Sequence, residues 1–371
     1  MKLGLIINPL AGIGGAVGLK GSDGEQIVHE AFERGAKERA NPRAKEVFKL
    51  IKEDNKNFEQ IEILSAPGIM GSDILDELDI KHEIVGKIGE KTSAEDTTRI
   101  AKEIIDRGVD LLIFAGGDGT ARDIYDAAGS TQACLGIPAG TKMHSSVFAY
   151  TPSSAALVVD RFLAGDGYEM VLREVMDLNE EAYRKEIIDT KLYGYLNVPY
   201  VINLMQASKN PFSRGENNDI ESICQYVVDS MEEDTLYLKG TGSTVLPVMN
   251  ILGLDGSMLG VDAIYNKEQV GKDIYEKNIL DLLDKYDKAK IIITIIGGQG
   301  YLFGRGNQQF SPEILRRVGK ENIIVIATKT KLKTIDGPLR VDTGDAKLDE
   351  ELSGYYRIIT DYDYYTVKKV Q

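Results

Sequence analysis

The chain has no tryptophan, two cysteines and three histidines in 371 residues. Cys134 and Cys224 form no C-x-x-C pair, and two thiols make no disulfide framework. His29, His82 and His144 are too few to suggest a zinc site, so any metal is expected to be Mg²⁺ on carboxylates and phosphates. No apolar run approaches the ~20 residues that span a bilayer. The longest, 291–296, is broken by Thr294. The opening MKLGLIINP lacks the basic, apolar and small-residue order of a signal peptide, and a cytoplasmic protein is expected. Positive charge is also short. Lys and Arg total 44 against 58 Asp and Glu, a net charge of −14. That balance argues against general binding to nucleic acid or to an anionic membrane, which need basic surfaces. A small-molecule partner is expected instead.

What the chain does have is apolar residues, 43%, and glycine, 38 residues, clustered after apolar runs. At ~150 residues per domain the length predicts two to three domains. Residues 2–8 read as a buried strand stopping at Asn8-Pro9. Helices are predicted near 25–36 and 42–54, a strand at 60–64, a short helix at 70–78 and a strand at 82–85. Ser93 and Asp96 have capping-box spacing for a helix running to about Arg107. Strands at 110–115 and 133–137 flank a helix over 121–128. This alternation predicts an α/β fold with a parallel sheet in an N-terminal domain, 1–165. A C-terminal domain, 166–371, is expected to begin with a short β-rich segment near 166–215. It then returns to α/β, with a helix at 216–231, strands at 235–239, 290–296 and 321–327, and a hairpin over 355–367.

Strand ends meet glycine- or hydroxyl-rich turns at 8–24, 116–120, 138–142 and 240–244. Ligands of open α/β sheets bind outside the carboxyl ends of strands, and glycines there let backbone N–H groups approach a phosphate. Lys20, Arg122 and Lys142 are cations in or beside these loops. There is no P-loop string G-x-x-x-x-G-K-[ST], no complete G-x-G-x-x-G, and neither G-x-S-x-G nor H-E-x-x-H. The sharpest feature is Gly116-Gly117-Asp118-Gly119-Thr120 directly after the apolar DLLIFA. A carboxylate there accepts a proton from a substrate hydroxyl, or holds Mg²⁺. His144, a lone histidine beside the 138–142 loop, reads as a packed or capping residue before it reads as a catalyst.

GGDGT and its surroundings resemble the NAD kinase and diacylglycerol kinase superfamily. The strand into Asn8-Pro9 and LGIPAGTK at 135–142 agree with it. NPLAGIGGAVGLKGSDG, PAGTKMHSSVFA and IGGQGYLFGRGNQQFSP resemble the microbial ATP-NAD kinase-like branch that includes the acetoin-catabolism X proteins. The resemblance spans essentially the whole chain. It implies phosphoryl transfer from ATP, or polyphosphate, to the adenosine-ribose 2′-hydroxyl of NAD, with Mg²⁺ carried on phosphates. It implies Asp118 as the catalytic residue. For phosphate and nucleotide binding it implies Asn8, Gly12, Gly14, Gly15, Lys20, Gly116, Gly117, Gly119, Thr120, Gly140, Thr141 and Lys142. It leaves a homo-oligomer open.

NAD kinases carry an Asn-Glu pair on a β-rich second domain, and Asn179-Glu180 is the candidate for it. Residues 216–371 read as α/β instead, which opens the acceptor to other hydroxyls, of a lipid or a small metabolite, and keeps a non-catalytic nucleotide sensor as a rival. Further candidate ligand contacts are Gly240, Thr241, Gly242, Ser243 and Thr244. They read equally as a second phosphate cradle or as a glycine turn with Ser243 capping a helix. Arg305 and Asn307 lie in a polar, glycine-dense loop. Asp262 is expected to end a strand facing the same cleft.

Overall fold

The structure is a computed structural model of the chain. It describes residues 1–19, 25–55, 58–140, 143–178, 190–202, 204–205, 217–296, 300–335 and 337–371. These fall into two compact units, residues 1–13, 25–32 and 37–205 in one, and 14–19, 33–36 and 217–371 in the other.

The first unit is built on five parallel strands: β1 (Lys2–Ile7), β2 (Glu62–Ser65), β3 (Glu83–Ile84), β4 (Leu111–Gly116) and β5 (Cys134–Pro138). Their order is β3-β2-β1-β4-β5. Side chains alternate between the faces of a strand, yet every residue of β4 and β5 is buried, so both faces are covered. The connecting helices are α1 (Glu25–Glu33), α2 (Ala40–Asp54), α3 (Ser72–Glu77), α4 (Ala94–Asp106), α5 (Asp118–Ala128) and α6 (Pro152–Ala164). In α2 the buried residues Ala40, Ala44, Val47, Phe48 and Ile51 recur at three- and four-residue spacing, one apolar face turned to the sheet. The capping box expected at Ser93 is present. Its side chain accepts from the Asp96 amide, and the Asp96 carboxylate accepts from the Ser93 amide.

The β-rich segment that follows is an antiparallel pair, β6 (Glu169–Leu178) and β7 (Thr190–Tyr200). Val175, Leu196 and Val198 of this pair are buried in the core of the first unit. Of the expected 166–215 segment, residues 179–189, 203 and 206–215 lie outside the described residues.

The second unit holds a seven-stranded mixed sheet. Its strands are β8 (Leu236–Lys239), β9 (Val261–Tyr265), β10 (Glu268–Ile274), β11 (Ala289–Thr294), β13 (Ile323–Ile326), β15 (Gly354–Asp361) and β16 (Tyr364–Val370), in the order β10-β9-β8-β11-β13-β15-β16. The central run β8-β11-β13-β15 is parallel, and antiparallel strands close both edges. β12 (Tyr301–Phe303) and β14 (Arg340–Val341) form a separate parallel pair.

Along β11 the two faces part cleanly. Ile291 and Ile293 enter one core cluster, Ile292 the other. The second cluster is completed by α7 (Asn217–Asp229), through Ile223, Cys224 and Val227, and by α8 (Leu246–Ile251). The remaining helices are α9 (Glu276–Lys285), α10 (Pro312–Val318), α11 (Lys329–Lys333) and α12 (Ala346–Leu352). The α/β class, the N-terminal parallel sheet, the β-rich segment and the second α/β half all match the sequence reading.

Candidate active site

In the first unit β1 and β4 are neighbours, but the chain leaves them in opposite directions. From β1 it goes to β2 and β3, and from β4 to β5. Such a switch point opens a crevice at the carboxyl ends of the two strands. Asn8 follows β1 there, and Gly117-Asp118 follows β4.

The helix after β4 begins at Asp118, not at 121 as the sequence pattern predicts, with Gly117 as its N-cap. An acidic side chain in a first helical turn is favoured by the helix dipole, by about 0.3–1 kcal/mol, which offsets much of the ~1 kcal/mol that Gly119 costs. Asp118 is 9% exposed. Its Oδ2 accepts from the backbone N–H of His144 at 2.7 Å, and its Oδ1 from that of Ser145 at 2.9 Å. The carboxylate is therefore fixed in one orientation by two rigid donors. Ser145 is tied in turn to β6, its hydroxyl accepting from the Met176 amide at 2.9 Å. The sequence gives no sign of these two amides, since any residue type supplies them. His144 thus enters the site through its backbone.

Asn8 donates from Nδ2 to Thr120 Oγ1 at 3.0 Å, while its Oδ1 accepts from the Leu10 amide at 3.1 Å. One side chain shapes the turn after β1 and ties it to the first turn of α5.

The glycines of the site fall into two kinds. A Cβ on Gly116 would overlap the Thr120 side chain, and one on Gly117 would stand 3.2 Å from the Gly140 Cα. Gly12, at φ +76°, would drive a Cβ into the Ala139 carbonyl oxygen. These residues let three loops pack backbone to backbone. Gly119 is exposed, and a Cβ there would meet nothing within 4 Å. Among them it is the one facing open space.

Gly14 and Gly15 belong to the second unit, whose segment 14–19 packs on Tyr275. The Gly18 Cβ position lies 3.1 Å from the Tyr275 Cβ, and Arg34 donates to the Val17 carbonyl at 3.0 Å. Lys20, Thr141, Lys142, Asn179 and Glu180 lie outside the described residues.

In the second unit the 240–244 turn does not cap a helix through Ser243. The helix starts at Leu246, and its N-cap is Val245, with no side-chain cap. Thr241 donates to the Gly306 carbonyl at 2.6 Å, and Gly242 takes φ +122°. Asp262 does not end a strand. It is the second residue of β9, and because β9 runs antiparallel to β8 it pairs in register with Lys239, the last residue of β8. Lys239 Nζ meets Asp262 Oδ2 at 2.8 Å, both side chains being fully buried. Arg305 lies 3.5 Å from Asp342, also buried. Asn307 donates to the Leu302 carbonyl at 2.7 Å. Lys331, also buried, donates to Thr294 Oγ1 at 3.3 Å. Lys239, Lys331 and Asp342 are members of these buried pairs that the sequence reading did not single out. A lysine closing the otherwise apolar strand LYLK was the available signal.

Among the described residues no group of three His, Cys, Asp or Glu side chains is placed to hold a metal. A single carboxylate, Asp118, suits an ion carried in on phosphate oxygens, not one caged by the protein. The thiols offer no alternative chemistry, since burial pushes Cys134 upward and Cys224 to about 12. Two surface hollows, of about 310 and 260 Å³, are lined by residues 58–64 with 79–83, and by residues such as Glu232, Thr235 and Lys290. Both lie at the amino ends of strands, opposite the glycine loops. Among the described residues no helix is long and apolar enough to cross a membrane.

A parallel sheet with a buried acid and glycine turns at its switch point defines an α/β protein of the kind that binds ligands at the carboxyl ends of its strands. The family model for the ATP-NAD kinase N-terminal domain matches residues 3–168, and that for the ATP-NAD kinase C-terminal domain matches residues 232–370. Together they cover most of the chain, which belongs to the NAD kinase-like family of phosphotransferases. That family binds NAD and ATP and uses a divalent metal ion. A comparison with individual curated proteins gives no match.

Proposed function

We propose that the protein is a kinase that transfers a phosphoryl group from ATP, or from polyphosphate, to the 2′-hydroxyl of the adenosine ribose of NAD, giving NADP. The observation that carries this reading is Asp118, an acid at the switch point of a parallel sheet, oriented by two backbone amides. Asp118 orients the ribose hydroxyl and accepts its proton. The hydroxyl oxygen forms the new P–O bond. The bond from the γ-phosphorus to the β,γ-bridging oxygen breaks, its electrons leaving with ADP. Gly116, Gly117, Gly119 and Thr120 contact donor phosphates, and Lys142 or Lys20 supplies further positive charge. Asn179 and Glu180 contact the dinucleotide. Mg²⁺, brought in on the donor phosphates, would supply neutralisation of the developing charge. The rest is positioning, which carries most of the barrier reduction in phosphoryl transfer.

The test is NADP formation from Mg-ATP and NAD by the native protein and by Asp118→Ala, with ATP binding measured for both. NADP from the native protein, lost in the variant while ATP still binds, is the expected result. ATP binding with no NADP from either ATP or polyphosphate overturns the NAD assignment. It would turn the search to another hydroxyl, of a lipid or a small metabolite, or to a nucleotide sensor.

A further inference from the structure

The second unit has a switch point of its own. β8 and β11 are parallel neighbours, yet from β8 the chain goes to β9 and β10 on one side, and from β11 to β13 and β15 on the other. Their carboxyl ends are Lys239 and Thr294, where the same topological rule opens a crevice.

Three buried cations are brought to these ends, each anchored. Lys239 meets Asp262 at 2.8 Å and also donates to the Ser257 carbonyl. Lys331 donates to Thr294 Oγ1 at 3.3 Å, and Arg305 lies 3.5 Å from Asp342 with its guanidinium 4.9 Å from the Tyr301 ring centre. The turn 240–244 joins these groups. A Cβ on Gly242 would lie 3.0 Å from the Thr294 methyl, and Thr241 bonds the Gly306 carbonyl. Ser243 at its tip is exposed. A set of held cations beside a hydroxyl- and glycine-rich turn is suited to an anion such as phosphate.

A second, independent feature specifies more. Asn307, Gln308 and Ser311 are 2%, 4% and 8% exposed, and among the described residues Asn307 Oδ1, Gln308 Oε1 and Ser311 Oγ have no hydrogen-bond partner. The amide orientations are set, because Asn307 Nδ2 donates to the Leu302 carbonyl and Gln308 Nε2 to the Gly304 carbonyl. The orphaned atoms of both amides are thus acceptors, and a buried acceptor without a donor is costly. A ligand that satisfies them must bring O–H or N–H groups.

We propose that the carboxyl ends of β8 and β11 form a second binding site, for a phosphate monoester that also carries free hydroxyls, with the 240–244 turn and Arg305 on the phosphate and Asn307 and Gln308 on the hydroxyls. The same chemistry is offered by a free polyol or sugar phosphate and by the phosphoribosyl part of a nucleotide.

The experiment is calorimetric titration of the full chain carrying Asp118→Ala, so that turnover in the first unit plays no part. The probes are inorganic phosphate, ribose, ribose 5-phosphate and glycerol 3-phosphate. Ribose 5-phosphate or glycerol 3-phosphate is expected to bind saturably, at least tenfold tighter than inorganic phosphate, with no binding of ribose. Ser243→Ala, at an exposed position that folding does not need, is expected to weaken the phosphate esters at least tenfold. Asn307→Ala is expected to remove the advantage over inorganic phosphate. Retained affinity in the presence of saturating NAD and ATP assigns the site to a free phosphate ester, and competition assigns it to a nucleotide. No saturable binding of either ester, or binding unchanged in both variants, overturns the proposal.

Discussion

The Asp118 carboxylate and the backbone N–H of Ser145 are joined by a 2.9 Å hydrogen bond across 27 positions of sequence, and the neighbouring His144 amide holds the other oxygen. An acid gripped this way cannot swing, which suits the role proposed for it of meeting one hydroxyl. Asp118→Asn keeps the shape but turns an NH₂ toward one of two N–H donors. We expect NADP formation to fall about 10²- to 10⁴-fold, the range of general-base catalysis. Stability should fall by about 1–3 kcal/mol, the cost of one orphaned buried donor. Steady-state kinetics beside a denaturant melt separates the two, since a purely structural role would lose folded protein and leave kcat per folded molecule intact.

Asn8 and Thr120 make the corresponding tie between β1 and α5. Removing either side chain breaks the same 3.0 Å bond. Asn8→Ala also orphans the Leu10 amide, whereas Thr120→Val does not. Asn8→Ala should therefore cost more. A double-mutant cycle should return a coupling of about 0.5–1.5 kcal/mol, the net worth of one hydrogen bond. A coupling of zero in urea melts would mean the tie is absent in solution.

Gly119 and Gly116 should respond to alanine in opposite ways. At Gly119 a methyl group enters open space within α5, so Gly119→Ala should leave stability equal or raise it by up to about 1 kcal/mol. The same methyl stands where donor phosphates are proposed to approach, and KM for ATP should rise at least tenfold. Gly116→Ala collides with Thr120 and should lower the melting temperature even without ligand. If Gly119→Ala leaves KM unchanged, the phosphates do not pass that face.

The contrast between these glycines shows what the sequence carried. GGDGT after an apolar strand was readable because strand, glycine and acid are contiguous. The parallel sheet of the first unit was readable from the alternation of apolar runs and helical stretches. What escaped depends on partners distant along the chain. Asp262 looked like the end of a strand, but antiparallel pairing makes it the start of one and sets it against Lys239, 23 positions earlier. Ser243 had the residue type of an N-cap, yet the turn continues to Val245 before the helix begins. The amides that hold Asp118 carry no residue signature at all.

Cys224 is buried on α7 and donates to the Thr244 carbonyl at 3.3 Å. Burial raises its thiol from an ordinary 9.0 to about 12. Folded protein should therefore resist alkylation at pH 8 and react fully once unfolded, which a mass-resolved iodoacetamide assay reads. The linkage has a definite sign. Between pH 9 and about 12 the unfolded thiol ionises and the folded one does not, so stability falls with rising pH across that window. Cys224→Ala should flatten this part of the alkaline limb.

Lys239 and Asp262 form an ion pair with both side chains fully buried, and Asp262 also accepts from the Ser257 amide at 2.7 Å and the Asp273 amide at 3.0 Å. Removing one partner leaves a buried charge without its counter-ion. Lys239→Met should thus cost about 3–5 kcal/mol, and Asp262→Asn a similar amount. A well-packed apolar replacement of a whole buried pair is often neutral, so Lys239→Met with Asp262→Leu would recover much of the loss if the pair served only to fill the core. The amides of Ser257 and Asp273 argue against full recovery, because leucine leaves both donors orphaned. The pair has a further role if the second unit binds a phosphate ester. A double variant that melts within a few degrees of the native protein, yet no longer binds ribose 5-phosphate in calorimetry, would show that the lysine is kept for its charge. Equal binding by the double variant would confine the pair to holding β8 against β9.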